Sequence, residues 1–401
     1  MLTLAQKNNA LKTRELFIKD FKEEPTDYFK TCGRLEIIGN HTDYNGGLVI
    51  NSSAGNLNIF TSVRKSDDGK IVIKSAGYPD LVVSLDELEY KEEEKETSVA
   101  LVKGILTRFK ALGLNVGGFK VEMISTILKG GGVSSSASYC VMICKILSYY
   151  YNNDSLDVVT MAKISRWSEN NYFGKGSGLQ DEIGCCAEGF AITDYRDQEN
   201  PVIEQFPVNL GNYKILLLDT KTDHSESQGG FQSLVTDMKE VATYLGVEYL
   251  IEVSMEDFMA EYNKPEHKDT RRWNRAYHFM TENERTRRAY AALKNDDIEA
   301  FLVEFNASGL SSENKLKSIV AEGHETNNLL EALHLGRASL VKGAIRVHGG
   351  GFGGSCMIFV DKDEEASFKE KMSSKFALDQ FIDVMPSNKP LRKLTLEELG
   401  L

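Results

Sequence analysis

At 401 residues the chain is long enough for two domains, each burying its own core. Its hydrophobic fraction of 41% and charged fraction of 26% are those of a soluble globular protein. A net charge of −12, with no basic stripe carrying interleaved aromatics, excludes a protein built to coat nucleic acid. An acidic chain that binds a polyphosphate must supply a local positive site or borrow a metal ion. Met1 to Arg14 is polar and lacks the apolar core of a signal peptide, and no run is long enough to span a bilayer. The six cysteines (Cys32, Cys140, Cys144, Cys185, Cys186 and Cys356) lie mostly in apolar segments without a C-x-x-C pairing. Free, mostly buried thiols and a cytoplasmic location are expected, with zinc the minority alternative, because no His or further Cys lies near Cys140 and Cys144 in sequence.

In chain order, Leu4 to Lys22 predicts a helix that Pro25 ends, and Thr31 to Gly39 a short strand. Asn40-His41-Thr42-Asp43-Tyr44-Asn45-Gly46-Gly47 is a dense polar loop before a strand opening at Leu48. Asn45-Gly46 alone would be a hairpin turn. Yet Arg34, His41 and Asp43 fall close together, between apolar strands that hold them stiffly, which is what a sugar or acid site needs. Leu57 to Val63, Lys70 to Lys74 and Phe119 to Ile124 predict strands, the last by alternation of Phe119, Val121 and Met123 with Lys120 and Glu122. Lys91 to Glu96 reads as a solvated acidic loop and Ser98 to Ala111 as a helix.

Lys129-Gly130-Gly131-Gly132-Val133-Ser134-Ser135-Ser136-Ala137-Ser138 leads into Tyr139 to Tyr151, a mostly apolar run that predicts a buried helix. A glycine turn feeding a helix start collects free N–H groups and the positive end of the helix dipole, which suits a phosphate. Serine hydroxyls there cap the helix or bind a magnesium ion. Taken alone, the stretch fits a capped core helix as well as it fits a nucleotide site.

Leu156 to Trp167 predicts a further helix. Glu169 and Asp181 then sit on either side of a glycine-rich turn, as surface acids of a helix–loop–helix also would. Gly189 to Tyr195 and Tyr213 to Asp219 predict strands, with Pro201 and Pro207 marking a boundary between domains 1–205 and 206–401. Asp237 to Leu245 predicts a helix, and Ala344 to Asp361 a strand, a glycine loop and a strand. Gly349 to Gly354 fits G-x-G-x-x-G but opens into a strand, which excludes a dinucleotide fold. No G-x-x-x-x-G-K-[ST] occurs, which excludes a P-loop NTPase.

Three stretches together resemble the galactokinase branch of the GHMP kinase superfamily. Gly33 to Gly47 is similar to G-R-x-N-[LI]-I-G-E-H-T-D-Y-N-G-G, with Glu36 at the asparagine and Asn40 at the glutamate. The glycine–serine stretch resembles G-x-G-L-S-S-S-A, and Gly349-Gly350-Gly351-Phe352-Gly353-Gly354 resembles G-x-G-F-G-G. Glu169 to Glu182 is similar to E-x-x-F…C-G-[IL]-x-D-Q, with Tyr172, Ser177 and Glu182 at the Phe, Cys and Gln. After Asp223-His224-Ser225 the family's sugar-binding tyrosine is replaced by Phe231. Arg271 to Arg285 matches a family helix in which His278 reads as structural.

The resemblance implies an α+β fold: an N-terminal ribosomal-protein-S5-like mixed sheet with helices, and a C-terminal ferredoxin-like α/β sandwich. It implies transfer of the ATP γ-phosphoryl to a sugar hydroxyl, galactose foremost. A related sugar such as N-acetylgalactosamine, or a non-catalytic sugar and ATP sensor, stands as the alternative. Asp181 would be the base and Arg34 its partner. Gly130, Gly131, Gly132, Val133, Ser134, Ser135, Ser136 and Ala137 would hold the phosphates. Magnesium would take Ser135 or Ser136 with Glu169. Asn40, His41, Asp43, Gly178, Phe231, Gly350 and Gly351 would meet the sugar. The implied partners are the sugar and ATP alone, with no nucleic acid or membrane, and the chain a monomer or weak homodimer.

Overall fold

The computed structural model describes residues 2–128, 131–176, 178–222 and 227–401. It opens with α1 (Leu4–Phe21), whose N-terminus is closed by a Thr3–Gln6 capping box. The first half continues through β1 (Asp27–Ile38), β2 (Leu48–Ser66), β3 (Lys70–Ser75), β4 (Leu81–Ser84), α2 (Ser98–Ala111), β5 (Gly118–Ser125), α3 (Ser135–Tyr151), α4 (Val158–Ser168), α5 (Gln180–Cys186), β6 (Phe190–Asp194) and β7 (Val202–Phe206). Next come β8 (Tyr213–Thr222), α6 (Ser227–Tyr244), α7 (Met255–Tyr262), α8 (Arg271–Lys294), α9 (Ile298–Ser311) and α10 (Asn328–Ser339). The chain closes with β9 (Gly343–His348), β10 (Gly354–Asp361), α11 (Glu365–Met372), β11 (Phe381–Val384), β12 (Arg392–Leu394) and α12 (Leu396–Leu399).

Two sheets organise these elements. The first has the order β12-β1-β2-β5-β3-β4, with β6 on the free stretch of β2 and β7 outside β6. It is mixed, because β3 and β5 run parallel while the other pairs are antiparallel. The second is antiparallel, ordered β11-β8-β10-β9. It is drawn from residues 213–384, but β12 returns from the C-terminal tail to pair with Tyr28–Lys30 of the first sheet. In β5 Phe119, Val121 and Met123 are all buried, whereas β1 and β10 are buried along their whole length.

Several elements depart from the sequence expectation. β2 is one continuous 19-residue strand where two were predicted, with its register against β1 shifting between Cys32 and Gly33. β7 is largely exposed and so carries no apolar alternation. Helix α6 starts at Ser227, ten residues ahead of the predicted Asp237, because packing overrides the weak helix propensity of Gly229 and Gly230. Ser134 takes the N-cap position of α3 in a left-handed conformation and makes no side-chain cap bond, so its hydroxyl does not cap the helix.

One helix holds the polar loop that follows β1. Glu282 of α8 accepts the backbone N–H groups of Gly39 (3.1 Å) and Asn40 (3.4 Å), and Asn283 accepts that of Leu48 (2.8 Å). Both ends of the loop are thus tied to one turn of α8. From the second sheet, the fully buried Arg346 donates to the Ile37 carbonyl (2.8 Å) and to Glu36 (3.2 Å). Burial pushes the Glu282 carboxyl up, but Arg285, His278 and Arg346 outweigh it and bring it down to about 2. A depressed carboxyl stabilises the fold above its unfolded value near 4.5 and loses that contribution as pH falls toward 2. Glu282→Ala, which strands Arg285 in the interior, is expected to cost about 3–5 kcal/mol in urea unfolding at pH 7. The gap from wild type should narrow between pH 5 and pH 2.

Candidate active site

The site grows from β1, whose Arg34 points at the first turn of α5. Arg34 Nε and Nη2 both donate to Asp181 Oδ1, at 3.0 and 2.5 Å. The Arg34 side chain lies across Gly184, where a Cβ would collide with it. Lys175, in the turn between α4 and α5, reaches Asp181 Oδ2 at 3.5 Å and Glu169 Oε2 at 3.2 Å. Burial alone would raise the Asp181 carboxyl, yet Arg34 and Lys175 hold it far below the usual carboxylate range. Arg34 Nη1 is buried with no hydrogen-bond partner among the described residues, so one guanidinium N–H is spare.

Asp181, Arg34 and Lys175 line a cavity of about 240 Å³ with Glu36, His41, Asp43, Tyr44, Gly178, Gln180, Phe231 and Gly350. Burial, then Asp181 and Glu36, push the Asp43 carboxyl up to about 7. A Cβ at residue 178 would collide with that carboxylate, so glycine is what lets the turn pass over it. His41 Nε2 donates to the Gly350 carbonyl (3.0 Å), which leaves Nδ1 to accept from the Tyr44 hydroxyl (3.3 Å). His41, Tyr44 and Phe231 therefore form an aromatic wall, with ring centroids 5.4–6.1 Å apart.

A second cavity of about 480 Å³ adjoins the first and shares Gly132, Lys175, Phe231 and Gly350 with it. Its other walls include Glu96, Phe173, Gln232, His348 and Gly351 to Gly354. The glycine–serine turn and the third motif interlock at its floor, where Ser355 Oγ donates to the Gly131 carbonyl (2.7 Å). His41, Ser134 and Phe352, one in each motif, take left-handed backbone that L side chains rarely adopt, so local strain concentrates around the two cavities.

The arrangement suits one kind of metal site. Glu169 is fully buried at the end of α4, where Lys175 donates to its Oε2 at 3.2 Å. Among the described residues no cluster of three or more His, Cys, Asp or Glu could cage an ion unaided. One carboxylate and a serine hydroxyl fit magnesium, which completes its shell with substrate phosphates and water. Ser135 is exposed and Ser136 half-buried at the helix start, so both hydroxyls are open to such a role.

Of the residues expected at the sugar, His41, Asp43, Gly178, Phe231 and Gly350 line the smaller cavity, and Gly351 lines the larger. Asn40 does not line either. It is buried, donates to Glu36 Oε1 (2.8 Å) and the Gly349 carbonyl (2.9 Å), and accepts from Ser312 (3.0 Å). Glu36 stands on the cavity wall, so the two departures at 36 and 40 exchange a carboxylate for an amide across a single hydrogen bond. Gly132 and Ser134 line the cavities, while Val133 and Ala137 are buried beneath them. Gly130, Ser177 and Asp223-His224-Ser225 lie outside the described residues. His278 is buried between the Asn40 carbonyl and Ser311 (2.9 Å each), a structural role. Sequence reasoning missed Lys175, Glu36, Tyr44 and Gln180. The available signal was a lysine six residues from each of two acids, on a turn that folds back on itself.

Comparison with known proteins settles the class. Residues 100–189 match the GHMP kinases N terminal domain, and residues 15–64 match the galactokinase galactose-binding signature. The mevalonate kinase of Methanococcus jannaschii shares the fold at a TM-score of 0.63 and 16% identity, covering 90% of this chain and 99% of that one. The chain is a GHMP-fold kinase. A galactokinase of Clostridium tetani is 31% identical over 374 residues, 92% of each chain, and one of Ligilactobacillus salivarius is 32% identical over 89% of this chain and 91% of its own. Lactococcus lactis galactokinase, solved with galactose, superposes with a TM-score of 0.83 at 25% identity, covering 96% of this chain and 99% of that one. This chain belongs to the galactokinase family.

The buried Asp43 gives a test of site against stability. A carboxyl whose folded value is raised destabilises the fold increasingly as pH climbs from about 4 to 7, and constantly above that. Asp43→Asn removes that repulsion and is expected to stabilise the protein by about 2–4 kcal/mol at pH 8, fading toward pH 4. Thermal melts across that pH range check it.

Proposed function

We propose that the protein phosphorylates galactose at its anomeric hydroxyl, using ATP and releasing ADP. The observation that carries the reading is the Arg34–Asp181 pair in the smaller cavity, which adjoins the larger one at Gly132, Lys175, Phe231 and Gly350. The smaller cavity suits a monosaccharide, with Asp43 and Glu36 as hydrogen-bond acceptors and the aromatic wall against an apolar ring face. The larger suits the nucleotide, with the phosphates running over Gly132 toward Lys175.

Asp181 takes the proton from the attacking hydroxyl. Its strongly depressed pKa makes it a weak base, so the proton moves late, once the forming P–O bond has made the hydroxyl acidic. Arg34 holds Asp181 in place and offers its spare N–H to charge on the transferring phosphoryl. Glu169 with Ser135 or Ser136 would hold magnesium, which supplies charge neutralisation across the β- and γ-phosphates. Glu182, fully buried next to Asp181 in sequence, is pushed well above the ordinary carboxyl value by burial, Glu169 and Asp181. The reading places sugar and ATP as the only partners, in a cytoplasmic protein acting alone or as a weak homodimer. It divides the chain into domains 1–205 and 206–401, with β12 crossing back to the first sheet.

Coupled ADP release across a panel of hexoses, pentoses and N-acetylgalactosamine tests it. Galactose should give the highest kcat/KM, and Asp181→Asn should lower kcat by about 10²–10⁴ while galactose still binds by calorimetry. Turnover on another sugar alone, or none on any sugar, would refute the assignment.

A further inference from the structure

Lys175 stands where the phosphates would run, and nothing so far gives it a part in the transfer itself. Its ammonium lies 3.2 Å from Glu169 and 3.5 Å from Asp181, the acid at the start of the glycine-rich turn and the acid at its end. It lines both cavities. Among the described residues lining the larger cavity it is the only lysine or arginine, and in the smaller it shares that role with Arg34 alone. Its side chain keeps 38% of its exposure, against 4% for Arg34, so it can still reach into the open space. It sits between Gly174, in left-handed backbone, and Gly176, neither of which adds a side chain to pin the turn.

A polyphosphate entering a chain of net charge −12 meets two cavities walled by Glu36, Asp43, Glu96 and Asp181. Unless a cation faces it there, repulsion opposes binding. Arg34 is spent mostly on Asp181, with two of its nitrogens on one carboxylate oxygen. A lysine head is a compact point charge on a flexible stem, able to exchange one anionic partner for another without the fixed fork of an arginine.

We propose that Lys175 is a phosphoryl-binding residue of this enzyme: its ammonium leaves the Glu169–Asp181 pair for the γ-phosphate of ATP and stabilises charge on that group during transfer. The inference rests on the galactokinase reading for the identity of the reaction, while its binding arm stands on ATP alone.

The test uses the full-length chain with Lys175→Met, Lys175→Gln and Lys175→Arg. Two quantities are read: calorimetric affinity for ATP in EDTA, where no divalent ion can bridge the phosphates, and kcat with saturating Mg-ATP and galactose. The expected result is an affinity for metal-free ATP about tenfold weaker in the Met and Gln variants, and a kcat lower by about 10² or more. Galactose affinity should stay within about twofold, and Lys175→Arg should recover part of both losses. Lys175→Gln keeps a donor for Glu169, so it reports even where the Met variant does not accumulate. Unchanged ATP affinity in EDTA overturns the proposal. So does a fall in kcat matched by equal falls in galactose affinity and melting temperature, which would mark Lys175 as a spacer between two acids. Wild type that binds ATP in EDTA through Lys175 but does not turn over galactose would refute the sugar assignment and leave the lysine's role standing.

Discussion

The buried ion pair between Arg34 and Asp181 is the constraint from which the rest of the site follows. A carboxylate taken out of water is tolerated only when its charge is met at close range. Here the partner comes from a strand of the first sheet, the acid from a short helix, and the close approach is bought by Gly184. Arg34 and Lys175 keep Asp181 ionised, while burial and the charge of Asp181 push its neighbours the other way, Asp43 up to about 7 and Glu182 well above the ordinary carboxyl value. Neighbouring carboxyls thus shift in opposite directions, according to whether a cation meets them at close range.

The second constraint is mechanical. The loop from Gly39 to Leu48 must present His41 and Asp43 to the cavity from a backbone that includes a left-handed histidine. Glu282 and Asn283 clamp its ends, while Gly350 and Tyr44 hold the His41 ring. Arg346, reaching from the second sheet to Ile37 and Glu36, locks the two sheets against each other at the same spot. The smaller cavity takes Arg34 and Glu36 from the first sheet and the larger takes His348 and Gly354 from the second, so this packing sets both cavities side by side.

Much of this was legible in the sequence because it depends on local chemistry. Period-two alternation marks β5, and the three glycine-bearing stretches mark loops that line the two cavities. What was not legible depends on tertiary direction. Asn40 stands beside His41 in sequence, yet its side chain is consumed by Glu36, Gly349 and Ser312, and the carboxylate of Glu36 takes the cavity wall. Phe231 lies on a helix that begins at residues a propensity argument assigns to a loop. β12 pairs with a strand more than 350 residues earlier, which no local pattern announces. Lys175 looks like one more surface lysine until the turn closes and brings its two acids together.

A crystal structure with galactose and a non-hydrolysable ATP analogue tests the central claim most directly. The account predicts the sugar in the cavity beside Asp43 and Phe231, its anomeric hydroxyl at about 2.6–3.2 Å from Asp181, and the phosphate chain over Gly132 in the adjoining cavity. A sugar bound with its anomeric hydroxyl turned away from Asp181, or a nucleotide seated outside the larger cavity, would contradict it.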